Sequence, residues 1–302
     1  MEDKTLKNPL FLGADPYILY WEGKYYIYPT TQTPDAPLNS LTDTATDGYK
    51  VYVSEDLENW ECKGYALHCE DVKGDKCFWA PEMTVRDGKF YMVYTAEEHL
   101  GIAVSDSPLG PFKQQEKRWL IEDRAIDGHF LVDDDGTTYL YYVRLGGGNK
   151  IYAAKMTDDL MDLDLESEQL LVVAGDQQWE TYDCRVAEGP FVIKHNGLYY
   201  LTYSSNHTRS PYYAIGYAVS KSPLGPFEKF AGNPILSRTE TVVGVGHHSF
   251  AMIGENKWVC AYHSHFSPEQ FKPRKVRVDY AEFVKDEKGG DDILVINGPT
   301  ED

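Results

Sequence analysis

Several familiar protein classes are ruled out by what this chain has little of. Its N-terminus, MEDKTLKNPLF, shows no basic segment followed by an apolar one, so no secretory leader is expected. No apolar run approaches the roughly 20 residues of a membrane helix, so no membrane partner is expected. Positive charge is scarce: 29 Lys and Arg face 48 Asp and Glu, a net charge of −19. That balance repels nucleic acid and anionic lipid and suits a neutral ligand. The cysteines are five, Cys62, Cys69, Cys77, Cys184 and Cys260. An odd set with no CxxC pair supports neither a disulfide framework nor a zinc site, and reduced thiols point to a cytoplasmic protein. Helical periodicity is also missing, residues 158–169 being the one stretch that shows it beyond a turn or two.

What the chain has is tyrosine, 23 of them in 302 residues, a composition that favours strands. Five segments share a turn residue followed by alternating aromatic or β-branched positions: GKYYIYPT (23–30), DGKFYMVYTA (87–96), DGTTYLYYVR (135–144), NGLYYLTYSS (196–205) and GENKWVCAYHS (254–264). Each reads as the second strand of a hairpin. A further unit follows several of them, as YKVYVSEDLENWECKG (49–64), GIAVSDSPLGPFKQ (101–114) and IGYAVSKSPLGPFEKF (215–230). A looser copy is NKIYAAKMTDDLMDLD (149–164), and RKVRVDYAEFV (274–284) fills the place in the fifth unit. SPLGPF recurs more than 100 residues apart, and its Ser-Pro and Gly-Pro steps punctuate the turn between third and fourth strands.

Four strands repeated five times predict an all-β fold, a five-bladed β-propeller of four-stranded blades around a central channel. Residues 1–302 are expected to form this single domain, with the polar stretch 32–48 as a surface excursion within blade one. How the ring closes is not legible.

The first strand of each hairpin begins with a polar residue: Asp15, Glu82, Asp127, Glu188 and His247. Asp127 sits in the apolar run AIDGHFLV (125–132), where a carboxylate is costly unless it is paired or used. Innermost propeller strands line the channel, so these five entrance positions are expected to meet at one of its mouths. A ring of acids there reads as a polar channel, a calcium site or a pair of carboxylates for acid–base chemistry.

The set ADPYI (14–18), WAPE (79–82), IDGHF (126–130), AEGPF (187–191) and GVGHHS (244–249), with the SPLGPF repeats, resembles glycoside hydrolase family 43. The resemblance spans essentially the whole chain and implies a five-bladed propeller that removes arabinofuranose or xylose units with inversion. It implies Asp15 as general base, Glu188 as general acid, and Asp127 as the carboxylate that orients the acid and, being ionised, raises its pKa. Inversion needs acid and base about 6.5–9.5 Å apart, so that water fits between base and sugar. The resemblance also implies sugar contacts at Trp79, Ala80 and Arg274, with Arg274 on the fifth blade's later strand. His247 becomes a ligand to a structural calcium in the channel, no cofactor being required for the chemistry. His129, two residues after Asp127, shares its face by strand alternation and is expected to meet a carboxylate or the substrate. For His248, His263 and His265 the expectation is ordinary satisfied or exposed histidines.

Many family members carry a β-sandwich that borders the site, and none is expected here, which favours a branch on a longer chain as substrate. The reading is therefore an inverting exo-glycosidase acting on arabinose- or xylose-containing oligosaccharides, α-L-arabinofuranosidase first and β-xylosidase second. An endo-arabinanase on the same scaffold is the alternative. A non-catalytic sugar-binding propeller is the other, disfavoured because a lectin has no need of the three carboxylates. A retaining sucrose-splitting propeller would show Asn-Asp-Pro-Asn and Arg-Asp-Pro where this chain has GADPY and AIDGH.

Overall fold

The computed structural model of the protein describes residues 6–32 and 47–301. Most of the excursion expected at 32–48 therefore lies outside the described residues. A short β1 (Phe11–Leu12) precedes blade one, built from β2 (Ala14–Trp21), β3 (Lys24–Thr30), β4 (Gly48–Ser54) and β5 (Glu61–His68). Blade two comprises β6 (Trp79–Arg86), β7 (Lys89–Ala96) and β8 (His99–Ser105). Blade three has β9 (Ala125–Val132), β10 (Thr138–Arg144), β11 (Lys150–Met156) and β12 (Leu163–Val173). Blade four has β13 (Ala187–His195), β14 (Leu198–Ser205), β15 (Ala214–Ser220) and β16 (Glu228–Lys229). Blade five has β17 (Gly246–Gly254), β18 (Lys257–Ser264), β19 (Lys275–Val284) and β20 (Ile293–Ile296). The five antiparallel sheets make the expected propeller.

Two details differ from expectation, and a third was not legible in the sequence. The fourth strand of blade two shrinks to a single bridge, Val104 with Lys113. Residues 158–169 form no helix: after a turn they enter β12, whose pairing with β11 claims the backbone groups that a weak helical periodicity would have used. Ring closure comes from the N-terminus, where Phe11 and Leu12 pair with Val276 and Lys275 of β19. Gly13 N–H then donates to Arg274 O at 3.0 Å, so the closure sets Arg274 beside Asp15.

The tyrosine pattern has a packing role. Tyr28 and Tyr141 occupy equivalent places on the second strands of blades one and three. Each donates its hydroxyl to the next blade's SPLGPF turn, at Pro108 O (2.5 Å) and Pro223 O (2.6 Å). The repeated hexapeptide is thus an acceptor shaped for a neighbour's tyrosine. All five cysteines are free, and no helix of the described residues is long and apolar enough to cross a membrane.

Candidate active site

Every inner strand breaks its register at the same place. The pairing skips between Ala14 and Tyr17, Trp79 and Glu82, Ile126 and His129, Glu188 and Phe191, and Gly246 and Ser249. The second residue of each bulge is left-handed: Asp15 (φ 46°), Ala80 (42°), Asp127 (58°), Gly189 (57°) and His247 (46°). Four of these are not glycine, a conformation that costs on the order of 1–3 kcal/mol each and that β-bulges use to re-aim side chains near functional sites.

This frame corrects the entrance register. Asp15, Asp127 and His247 are equivalent, Glu188 precedes its bulge position by one, and Glu82 follows its own by two. Glu82 therefore lies deeper, where Oε1 accepts from His129 Nδ1 (2.7 Å) and from Phe130 N–H (3.0 Å).

The bulge frees an N–H in each blade, and the preceding blade's second strand takes it. Thr30 accepts from Ala80 (2.8 Å), Thr95 from Asp127 (3.2 Å), Ser204 from His247 (2.8 Å) and His263 Nδ1 from Asp15 (3.2 Å). At the matching position of β10 stands Val143, which has no acceptor. There the Gly189 N–H goes instead to Asp127 Oδ2 at 3.2 Å. Asp127 thus replaces a missing latch and is fixed between blades three and four by doing so.

Asp15, Asp127 and Glu188 line one pocket of about 620 Å3, together with Trp79, His247 and Arg274. All three carboxylates are buried. Arg274, one residue ahead of β19 rather than on it, places Nη1 2.9 Å from Asp15 Oδ1 and Nη2 3.4 Å from Oδ2. His263 Nδ1 lies 3.0 Å and His247 Nδ1 3.5 Å from the same Oδ1. Burial opposes the charge on Asp15, but Arg274, His247 and His263 outweigh it and hold the carboxyl well below the usual range.

Across the pocket the balance reverses. Burial pushes Glu188 up to about 7, against Tyr213 Oη donating to Oε1 (2.9 Å) and Asn149 Nδ2 donating to Oε2 (2.7 Å). Burial, then the charges of Glu188 and Asp15, raise Asp127 well above its usual range. Asp127 and Glu188 titrate as a pair that holds a proton near neutrality. An ionised carboxylate and a proton-loaded pair in one pocket can take a proton from water and give one to an oxygen.

The remaining predicted residues divide. Trp79 is half-buried in the pocket wall, whereas Ala80 is buried and lines a smaller axial cavity below. His247 borders both. His129 meets a carboxylate but is absent from the pocket lining: its ring is buried, with Nδ1 on Glu82 and Nε2 accepting from Val192 N–H (2.9 Å). The bulge at Asp127 breaks the alternation that put the two on one face. His263, expected to be ordinary, supports Asp15 and is held neutral by burial and by Arg274, with its pKa lowered to about 3. Asn149 and Tyr213 escaped sequence reading. For Asn149 a signal existed, since it ends the run Gly146-Gly147-Gly148, all three at positive φ. Tyr213 looks like any core tyrosine.

Among the described residues, no group of three or more His, Cys, Asp or Glu is placed to hold a metal ion. The axial cavity below the pocket is about 20 Å3, room for about one water, and the buried His248 Nδ1 on its wall has no hydrogen-bond partner.

Comparison with known proteins fits this geometry. The sequence model of glycosyl hydrolases family 43 matches residues 6–288. Xylosidase/arabinosidase 43A of Humicola insolens is 30% identical over 320 residues, covering 91% of this chain and 95% of the relative. A xylosidase/arabinosidase of Bacteroides ovatus is 28% identical, covering 86% and 89%. Among solved structures, an endo-1,4-beta-xylanase of Bacteroides thetaiotaomicron VPI-5482 superposes with a TM-score of 0.87 at 37% identity, covering 99% of this chain and 97% of that one.

Proposed function

From the premise that this chain belongs to glycosyl hydrolase family 43 and is a glycoside hydrolase, we propose that it removes terminal pentose units, α-L-arabinofuranosyl or β-D-xylosyl, with inversion at the anomeric carbon. The observation that carries the proposal is the opposed ionisation of Asp15 and of the Asp127–Glu188 pair within a single pocket.

In this reading Asp15 is the general base. The Arg274 guanidinium keeps it ionised, and it accepts a proton from the water that attacks the anomeric carbon. Glu188 is the general acid. It delivers a proton to the glycosidic oxygen as the bond to the anomeric carbon breaks, so the leaving sugar departs neutral. Asp127, locked to Gly189 N–H, keeps the proton in the pair until a substrate oxygen approaches. Arg274 serves twice, holding Asp15 charged and offering a donor to a sugar hydroxyl.

A channel ion has only a structural part in this scheme. His247 is its one assigned ligand, so a calcium ion there would draw most of its usual six to eight oxygens from water and backbone. No step runs through it.

A second reading, cleavage within a xylan chain, draws on the name of the Bacteroides thetaiotaomicron relative. A panel of nitrophenyl arabinofuranoside, xyloside and galactoside, with proton NMR of the first anomer formed, tests the main reading. Release of an inverted pentose supports it, and no hydrolysis or a retained anomer overturns it. Oligomers rather than single pentoses from xylohexaose would favour the second.

A further inference from the structure

An open groove of about 650 Å3 joins the pocket, and the two share His207 and Arg209. Its floor carries two exposed tyrosines, Tyr182 and Tyr212, with ring centroids 4.9 Å apart. An exposed aromatic patch beside a pocket marks a binding surface.

This pair is held in place. Asn206, fully buried with φ 70°, accepts from Tyr182 N–H (2.9 Å) and donates to Tyr212 O (3.0 Å), so one side chain ties both segments. At the junction with the pocket, His207 Nδ1 accepts from Arg209 N–H (3.1 Å), which leaves Nε2 as the protonated nitrogen. Burial lowers the His207 pKa, so the ring offers a neutral donor there.

The groove is built on the acid's blade, from the segment that leads into β13 and from the connection between β14 and β15. Cys184 belongs to its wall, four residues before Glu188 on the same chain segment, and the Glu188 charge contributes to raising its thiol pKa, after burial and Asp183. A general acid protonates the leaving oxygen, so whatever departs occupies the space next to it.

We propose that the Tyr182–Tyr212 surface is the binding site for the leaving-group side of the substrate, a chain of pyranose rings whose apolar C–H faces lie on the tyrosines. The proposal rests on the glycosidase reading above. It makes the natural substrate an oligosaccharide or polymer rather than a disaccharide or a small glycoside. Aromatic faces suit pyranose rings because they bury C–H groups without stripping equatorial hydroxyls of their partners. The net charge of −19 agrees with an uncharged chain as occupant.

The test compares wild type with Tyr182→Ala, Tyr212→Ala, the double variant and the corresponding Phe variants. Two substrates are used, the nitrophenyl pentoside that wild type hydrolyses best and a xylotetraose bearing the same pentose. With the double Ala variant, kcat/KM on the oligosaccharide should fall roughly ten-fold or more and stay within about two-fold on the nitrophenyl glycoside. The Phe variants, which keep the ring faces, should retain most activity on both. Equal losses on the two substrates, or no loss on either, overturn the proposal. Should wild type hydrolyse neither, the glycosidase reading fails by itself. Calorimetric titration with xylohexaose then decides the surface: weaker binding by the double Ala variant supports it, and equal binding refutes it.

Discussion

Asp15 and Glu188 are similarly buried, with 7% and 9% of their surfaces exposed, yet the two sides of the pocket treat them in opposite ways. The Asp15 side, assembled where the N-terminal strand closes the ring on blade five, gathers Arg274 and two imidazoles. The Glu188 side, between blades three and four, offers a second carboxyl and only neutral donors. Burial alone would raise both acids. The difference shows that the charge of a buried carboxyl is set by its neighbours, and that one pocket can hold carboxyls in opposite states when a cation contacts only one of them.

Removing Asp15, the proposed base, should do most damage. Asp15→Asn should lower kcat by roughly 10³-fold or more whatever the leaving group, because the group proposed to activate the water is lost. Steady-state assays on good and poor leaving groups check this, and a loss confined to poor ones would assign Asp15 the acid's role.

Glu188→Gln should lower kcat/KM on natural linkages by roughly 10²-fold or more and far less on a nitrophenyl glycoside, whose leaving group needs little protonation. Equal losses would remove Glu188 from the acid's role.

Arg274→Met takes the cation from the Asp15 side and makes the two sides alike. The Asp15 carboxyl should then rise, so the acid-side limb of kcat/KM should move to higher pH. Arg274→Lys should keep much of the original limb, and circular dichroism confirms folding of both. A limb that stays put in the Met variant would show that the histidines alone set the charge.

Tyr213→Phe is the mildest change. Losing a donor to the carboxylate form destabilises the ion, so the Glu188 pKa should rise above about 7 and the alkaline limb should follow. A downward movement would mean that the hydroxyl stabilises the protonated form.

The sequence made the propeller legible because tyrosines and turn glycines repeat with each blade, and that rhythm records strand pairing. Asp15, Asp127 and Glu188 were legible because each opens such a strand. The bulge was not, since its left-handed residue is Asp, Ala, Asp, Gly or His and leaves no common letter. Glu82 and His129 were misplaced for that reason. Nor does the alphabet separate a working acid from a structural one. Glu180, eight residues before Glu188 and fully buried, accepts from Gly175, Asp176 and Gln177 N–H groups and from Tyr203 and Lys229, and despite burial its pKa is lowered. The two glutamates differ in their donors: Glu180 has three local N–H groups and the Lys229 ammonium, whereas Glu188 has only the neutral side chains of Tyr213 and Asn149. Ring closure by Phe11 and Leu12 was illegible because two residues carry no periodicity.

The pH dependence of kcat/KM for the wild-type enzyme on an oligosaccharide with a natural pentosyl linkage, whose leaving group needs the acid's proton, tests the opposed ionisation most directly. Activity should hold down through the ordinary carboxylate range near about 4 and fall as pH rises through about 7, where the Asp127–Glu188 pair loses its proton. A limb at about 4–5 on the acid side, or undiminished activity well above 7, would contradict the division of charge between the two sides of the pocket.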